Sequence, residues 1–425
     1  MKKIAMALAL LLAAASCDFL DVVPEGSPTQ DDIYKTQAQA EKMLFMVYGK
    51  CPDLFHAQAM PDLSGGDDLI SSYYGSVRYF SWKSLVYATS QESSTNTYFN
   101  MWGTTSGLPT GNYSYNIYEG IRYAYNFLNN IGSVPDISEA NLRYWSGEAH
   151  FLIAHLHQIL LEYYGPIVLA REEIDLNAPA SSVNVPRSTY DECVNFIEEE
   201  FRKAADMLPD YWGPIAYGRA IKATALAYRA RLLLYSARKL FNGNELYKGI
   251  VNKNGDHLFP TQYDEKKWEL AAQAAKDVMN LNLYSLVGAD GTDPYASFNT
   301  LFTSVGSGTG GATEKIYTRI ASGYQWRVVT TPPSDGGTAY GGYGVTQKQV
   351  DAFAMANGRY PITGYTDGDQ ARPIIDPDAG YSESGFSKFK HPIYGDELET
   401  FKMYQNREPR FYVNVFLSLI HISEP

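Results

Sequence analysis

The chain has 425 residues, of which 45% are hydrophobic and 14% aromatic, and its formal net charge is −12. This length and apolar content allow a substantial core, in one large domain or two ordinary ones. The acidic balance argues against a nucleic-acid-binding protein, because such proteins carry basic patches.

The N-terminal residues have the layout of an export signal. Lys2 and Lys3 precede an apolar run over 4–12, and small residues over 13–16 lead directly to Cys17. The run is too short to span a bilayer. An ordinary cleavage site needs no cysteine at the next position, whereas a lipoprotein site uses that thiol to accept lipid. We therefore expect a signal peptide over 1–16 and a lipid anchor on Cys17; the alternative is a plain secretory signal with an incidental cysteine.

Helical spacing of apolar residues dominates the rest of the chain. The pattern predicts helices over 31–55, 115–131, 138–164, 188–208, 219–240, 265–280 and 346–355. Small residues recur at three- and four-residue spacing, which lets antiparallel helices approach closely, as in tetratricopeptide-like pairs. We expect the pairs 31–55 with 115–131, 138–164 with 188–208, and 219–240 with 265–280. The fold class predicted is all-α, with few strands.

Long polar excursions rich in glycine and tyrosine interrupt the helices at 60–112, 284–345 and 358–400. Irregular segments on a rigid scaffold are where binding sites usually lie. Tyrosine and tryptophan in polar loops stack well on flat partners such as sugar rings, although each ring could instead fold back onto the core. Cys51 and Cys193 could pair, but two buried thiols are the expected state.

An ordered set of motifs is similar to the SusD/RagB family. It comprises YEGIRYAYNFLNNI (118–131), EAHFLIAHLHQILLEYYGPIVL (148–169), VPRSTYDECVNFIEEEFRKAADMLP (185–209), GRAIKATALAYRARLLLYSARKLFNG (218–243), VTQKQVDAFAMANG (345–358) and NREPRFYVNVF (406–416). The resemblance implies one SusD-like domain over 17–416 with four tetratricopeptide-like helix pairs. It also implies a cell-surface outer-membrane lipoprotein that lies as a lid on a SusC-type TonB-dependent transporter. Such proteins bind oligosaccharides, or peptides in the RagB branch, pass them to the transporter, and are not enzymes.

The end of the chain departs from the family pattern. Family members continue beyond the last motif into a further helix, which residues 417–425 (LSLIHISEP) do not resemble. We expect those residues to be a non-native tail and the fourth helix pair to be incomplete.

Signals for other chemistry are weak. Asp67-Asp68 and Glu172-Glu173 could supply a glycosidase pair, but neighbouring surface carboxylates are usually solvated charges. His155 and His157 are two residues apart on a helix, so they cannot share a metal, and we expect them at the core edge or exposed. The stretches GSGTGG (306–311) and GGTAYGGYG (336–344) lack the ending of a phosphate loop. DPDAG (376–380) begins like a calcium loop but has serine, not glutamate, at position twelve. No metal or cofactor is expected.

The remaining chemistry is binding. A sugar site needs an aromatic platform for the ring and planar polar side chains for the hydroxyls. The excursions offer candidates in two clusters, namely Asp68, Arg78, Trp82, Tyr98, Trp102, Tyr324 and Trp326. We expect a glycan-binding component of a transporter complex; the alternatives are a peptide-binding lid and a purely structural scaffold that binds no nutrient itself.

Overall fold

A computed structural model describes most of the chain between residues 30 and 415. The described residues are 30–54, 66–71, 93, 99–102, 113–173, 175, 177–179, 181, 184–212, 218–303, 313–319, 324–331, 341–368, 372–395 and 397–415. The expected signal peptide, Cys17 and the tail over 417–425 lie outside them, so these expectations stay predictions.

The scaffold is a series of helices, each packed on the next along the chain. After a short α1 (Gln30–Ile33), they are α2 (Gln37–Gly49), α3 (Ile117–Asn130), α4 (Glu139–Tyr164), α5 (Tyr190–Met207), α6 (Lys222–Ala237) and α7 (Lys266–Met279). Contacts join α2 to α3, α3 to α4, α4 to α5, α5 to α6 and α6 to α7. The three predicted helix pairs are thus confirmed, and so is the predominantly helical fold.

Side chains at the helix ends explain where these helices begin and stop. Ser138 caps α4 by accepting a hydrogen bond from the Asn141 N–H at 3.1 Å. Helix α4 ends at Gly165, whose φ of +67° favours glycine. Thr189 and Glu192 form a capping box at the start of α5, each side chain accepting from the other residue's N–H.

Close packing around α4 forms the centre of the core. A β-carbon at Gly147 would lie 2.8 Å from Met207 Cβ, so this position lets α4 and the end of α5 approach closely. Gly120 has the same role between α3 and Lys50. Much of α4 is buried, and a fully buried large apolar side chain stabilises a fold by roughly 1.5–3 kcal/mol.

Shorter helices and strands lie in the segments that connect or follow the helix series. The further helices are α8 (Pro294–Thr303), α9 (Tyr324–Thr330), α10 (Gln347–Asp351) and α11 (Pro409–Asn414), and α8 packs on α11. The described strands are β1 (Leu69–Ser71), β2 (Phe99–Asn100), β3 (Tyr113–Ser114), β4 (Tyr343–Val345), β5 (Ile362–Tyr365), β6 (Pro373–Ile375), β7 (Phe386–Lys390) and β8 (Glu397–Phe401).

Within the described residues, the strands form four two-stranded sheets: β1–β4, β5–β6 and β7–β8 are antiparallel, and β2–β3 is parallel. The excursion at 358–400 therefore differs from the irregular segment expected, because it contains two antiparallel pairs. In the part of the chain described, no helix has both the length and the apolar character needed to cross a bilayer.

Candidate functional site

Pairing of β1 with β4 joins the first excursion to the second. Leu69 pairs with Val345 and Ser71 with Tyr343. Just beyond the pair, the Thr346 N–H donates to the Asp68 carbonyl at 3.0 Å, and the Thr346 hydroxyl donates to the Asp67 carbonyl. Candidate residue Asp68 is therefore held at this junction, with its side chain exposed.

Trp326 belongs to the same junction. Its ring lies 6.2 Å from the buried ring of Tyr343, centroid to centroid, and α9 contacts β4. Since Tyr343 pairs with Ser71, the structure brings Asp68 and Trp326 to one short sheet. Candidate Tyr324 is the first residue of α9.

A groove of about 670 Å³ opens beside this junction, and we call it the α10 groove. Helix α10 begins at Thr346, whose side chain accepts from the Gln349 N–H, so the residue that binds β1 also starts the groove wall. The lining residues are Gln347, Lys348, Asp351, Tyr365, Pro373, Glu383, Phe401 and Met403. The volume is in the range of small-ligand sites.

Polar groups in the α10 groove are held in place by one another. The buried Asp351 carboxylate accepts from Gln347 Nε2 at 2.7 Å and from the Tyr365 hydroxyl at 3.0 Å. The Lys348 ammonium pairs with Asp67, and this hydrogen bond lowers the pKa of the Asp67 carboxyl. The groove thus offers carboxylates, an amide and a hydroxyl next to aromatic rings, which suits a ligand rich in hydroxyl groups.

Sequence reasoning missed most of this groove. Asp351 was included in a predicted helix, while Tyr365, Glu383 and Phe401 lie in or beside the excursion that was expected to be irregular. In FSKFK (386–390) and ELETF (397–401) the apolar residues lie three positions apart, so neither segment has the two-residue alternation that indicates a strand from sequence.

Trp102 forms a separate aromatic cluster, which we call the Trp102 platform. Its ring stacks on Tyr118 at 5.5 Å and lies 4.7 Å from the ring of Tyr164, yet the residue remains 38% exposed. The Met101 N–H donates to the Tyr164 hydroxyl at 2.9 Å, and the Tyr118 hydroxyl donates to the Val168 carbonyl at 2.7 Å. Helices α3 and α4 therefore support an aromatic ring that is partly open to solvent.

Three other candidate residues, Arg78, Trp82 and Tyr98, lie outside the described residues. Their place in the ligand site stays a prediction.

In each acidic pair considered for catalysis, one carboxylate is held by neighbouring side chains. Asp67 pairs with Lys348, and Glu173 accepts hydrogen bonds from Asn126 at 3.0 Å and Asn129 at 3.1 Å. In the DPDAG stretch, Asp376 is bound by the Arg359 guanidinium at 2.8 Å and 3.2 Å. Among the described residues, no cluster of three or more histidine, cysteine, aspartate or glutamate residues could hold a metal.

The expected position of the two histidines on α4 is wrong, because both are buried. His157 Nδ1 donates to the Ile153 carbonyl at 2.8 Å and Nε2 accepts from the Ala170 N–H at 3.3 Å, so its polar atoms are satisfied inside the core. His155 stacks on Phe151 at 5.6 Å. Helix α4 contacts neighbours on several sides, which is why residues two apart can both be covered. Cys51 and Cys193 are free, as expected; Cys193 is buried, but Cys51 is only partly buried, so the expectation of two buried thiols is wrong for Cys51.

Two family profiles match the chain. One, SusD-like, is described as starch-binding and associating with the outer membrane, and it matches residues 18–234. The other, SusD/RagB, is described as the SusD family and matches residues 300–420. No curated protein matches the chain.

Several solved structures share the fold. The structure called BT4246 gives a TM-score of 0.63 at 24% identity, covering 89% of this chain and 64% of that one. A SusD-like protein (BF3747) from Bacteroides fragilis NCTC 9343 gives 0.58 at 22% identity, with coverage of 91% and 62%. A SusD-like carbohydrate binding protein (BF0978) from the same organism gives 0.54 at 15% identity, with coverage of 90% and 60%. The chain thus spans just under two thirds of the length of each.

Proposed function

Because the chain belongs to the SusD/RagB family, we propose that it binds an oligosaccharide at the cell surface and delivers it to a SusC-type TonB-dependent transporter. The family is one of binding proteins associated with the outer membrane. Cys17 would carry the lipid anchor, and the protein would act by retention and transfer of the glycan, without catalysis.

One observation carries the proposal: the β1–β4 pair joins two aromatic-rich excursions beside a groove lined with ordered polar groups. Asp68 directly precedes β1, Trp326 packs on Tyr343 of β4, and the next residue after the pair, Thr346, caps the helix that lines the α10 groove. A hexose presents an apolar C–H face and a ring of hydroxyls, so a site for it combines rings with fixed hydrogen-bond partners. The α10 groove and Trp326 provide both.

The Trp102 platform supports the same function from another part of the fold. An indole backed by two tyrosines keeps its orientation without a ligand, so little conformational entropy is lost when a sugar stacks on it. The solved relative BF0978 is a carbohydrate binding protein, and this supports the choice of a glycan over a peptide.

Migration of the purified full chain in native gels that contain soluble glycans tests this proposal. We expect retardation in at least one glycan, and we expect Trp326→Ala and Trp102→Ala each to weaken it. Loss of a stacked aromatic contact of about 1–1.5 kcal/mol corresponds to roughly a tenfold weaker binding. Thermal unfolding of each variant shows whether the fold is retained.

Trp268→Ala is the matched control, since Trp268 on α7 is 40% exposed, nearly the same as Trp102. Equal loss of retention in all three variants would contradict a specific role for Trp102 and Trp326. Peptides that co-purify with the protein, detected by mass spectrometry, would favour the peptide-binding alternative. A chain that binds neither class of ligand would favour the structural scaffold.

A further inference from the structure

A second cavity, of about 240 Å³, lies between the end of α2 and the segment 313–319. We call it the Arg319 pocket. Its lining residues are Phe45, Tyr48, Cys51, Gly218, Arg219, Tyr317 and Arg319. None of them lines the α10 groove, and none belongs to the Trp102 platform.

The first of the two arginines in this pocket is neutralised by the fold. Arg219 donates from Nε to Glu148 Oε1 at 2.8 Å, from Nη2 to Glu148 Oε2, and from Nη1 to Glu41 Oε1 at 2.7 Å. Its guanidinium also lies 4.4 Å from the centre of the Trp212 ring. Arg219 is therefore a fixed structural cation that forms one wall of the pocket.

Arg319 differs, because no carboxylate pairs with it among the described residues. Its Nη1 donates to the Cys51 carbonyl at 3.3 Å, which is a long hydrogen bond, and the residue is exposed. The segment is nevertheless anchored: the Tyr317 ring packs edge-on against Phe151 at 6.0 Å and Tyr228 at 6.1 Å. An anchored backbone thus presents at the pocket a guanidinium whose one hydrogen bond to the described residues uses only Nη1.

The neighbouring charges limit what this guanidinium can bind. Glu41 and Glu148 are already paired with Arg219, so Arg319 is the cation of this pocket that remains to meet an anion, and its single charge matches a monoanion better than a dianion such as phosphate. Burial raises the pKa of the Cys51 thiol to about 12, which keeps that wall uncharged. A single carboxylate, which a guanidinium binds with two parallel hydrogen bonds, fits these conditions.

The size and the walls of the pocket limit the body of the ligand. Its volume is below the usual range of about 300–1,000 Å³ for ligand sites, so it suits one ring and not an extended chain. Phe45, which is 47% exposed, and Tyr317 supply aromatic walls. The electron-rich face of an aromatic ring suits the C–H face of a sugar.

We propose that the Arg319 pocket binds the carboxylate of an acidic sugar unit, such as a uronic acid, with Arg319 as the carboxylate ligand. The sugar part of this proposal rests on the proposed function, while the carboxylate part rests on the pocket alone. The charged sugar would then be recognised at a site separate from the α10 groove.

Isothermal titration of methyl glucuronide and methyl glucoside against the purified full chain tests the proposal. These ligands share a ring and differ in the carboxylate. We expect glucuronide to bind at least about tenfold more tightly than glucoside, and Arg319→Gln to remove most of this difference. Arg319→Lys, which keeps the charge but not the planar pair of donors, should retain part of it.

Arg202→Gln is the matched control, because Arg202 is an exposed arginine on α5. Equal affinities for the two sugars, or a preference unaffected by Arg319→Gln, would overturn the pocket proposal. N-acetylglycine binding as tightly as glucuronide would overturn the assignment to a sugar. Glycan gels run on the same protein distinguish the failure of this proposal from the failure of the proposed function. If the gels retain the protein in a way that depends on Trp326 but glucuronide does not bind, only the pocket proposal is refuted.

Discussion

At the scale of single residues, the buried histidines of α4 show how the core depends on protonation. Burial is the main cause that lowers the pKa of His157 from 6.5 to about 4, and that of His155 to about 3. For His155 the nearby Arg231 and Arg319 lower it further. Both side chains are therefore neutral in the folded protein, and His157 uses both ring nitrogens to satisfy backbone groups.

These lowered pKa values predict a loss of stability in mild acid. Below pH 6.5 the unfolded chain takes up protons that the folded histidines exclude, so the free energy of unfolding falls as the pH drops towards the folded pKa values. Each histidine contributes a slope of up to about 1.4 kcal/mol per pH unit. We expect urea unfolding of His157→Gln between pH 6.5 and 5 to show a smaller slope than the wild type.

The exposed His257 gives the matched control, as His257→Gln leaves the core unchanged. An identical slope in His157→Gln and the wild type would mean that His157 accepts a proton equally well in the folded state. The chosen pH range lies above the ordinary pKa values of carboxyl groups, which keeps their titration from dominating the result.

The sequence allowed some site residues to be predicted and others not. Trp102 and Trp326 could be selected as candidates because tryptophan in polar loops stacks well on flat partners, and their place in a ligand site stays a prediction. Asp351 could not, because its significance depends on Tyr365, which approaches it only through the fold of β5. A buried carboxylate on a five-residue helix has no distinctive local pattern.

At the scale of elements, helix positions were predictable because the signals are local. The Ser138 cap on Asn141 and the Thr189–Glu192 capping box each join residues only three positions apart, and the apolar spacing of a helix is equally local. The short sheets were not predictable, since β1 and β4 depend on contacts between distant parts of the chain: Asp67 and Thr346 are 279 positions apart. Strands β7 and β8 bury little surface and are held partly by Gln405, which donates to the Ser387 and Thr400 carbonyls.

Thr346 connects an element boundary with the proposed site. Thr346→Ala removes the N-cap of α10 and the hydroxyl that donates to Asp67, and a lost cap costs about 1 kcal/mol in the free energy of unfolding. We expect a similar cost here, together with weaker retention in glycan gels, because the groove wall loses a direct link to β1.

Thr189→Ala is the appropriate comparison, as it removes a threonine cap of the same type from α5. It should lower stability by a similar amount in urea unfolding and leave glycan retention unchanged. Parallel loss of retention in both variants would show that stability alone controls binding, and would argue against a specific link through Thr346.

At the scale of the whole molecule, the helix series and the excursions have different roles. The helices supply most of the buried core residues described, and each packs on the next helix along the chain. The β1–β4 pair instead joins two excursions that are distant in sequence. This separation fits a binding protein, because contacts with the ligand can change in the excursions without disturbing the core. The same separation explains why the helical motifs indicated the family, while the sequence of the excursions did not indicate which ligand is bound.

The proposed anchor is the last feature on which the function depends. A net charge of −12 provides no attraction to anionic lipid surfaces, so membrane attachment should depend on acylation of Cys17. In cells that express Cys17→Ser, we expect the protein to leave the membrane pellet, while the purified variant keeps its glycan retention. Cys51→Ser serves as the control for loss of a thiol elsewhere in the chain. If Cys17→Ser still pellets with the membrane, the lipid anchor is refuted and another attachment is required. If the variant is released from the membrane and the cells no longer grow on the bound glycan, transfer to a transporter requires a tethered protein.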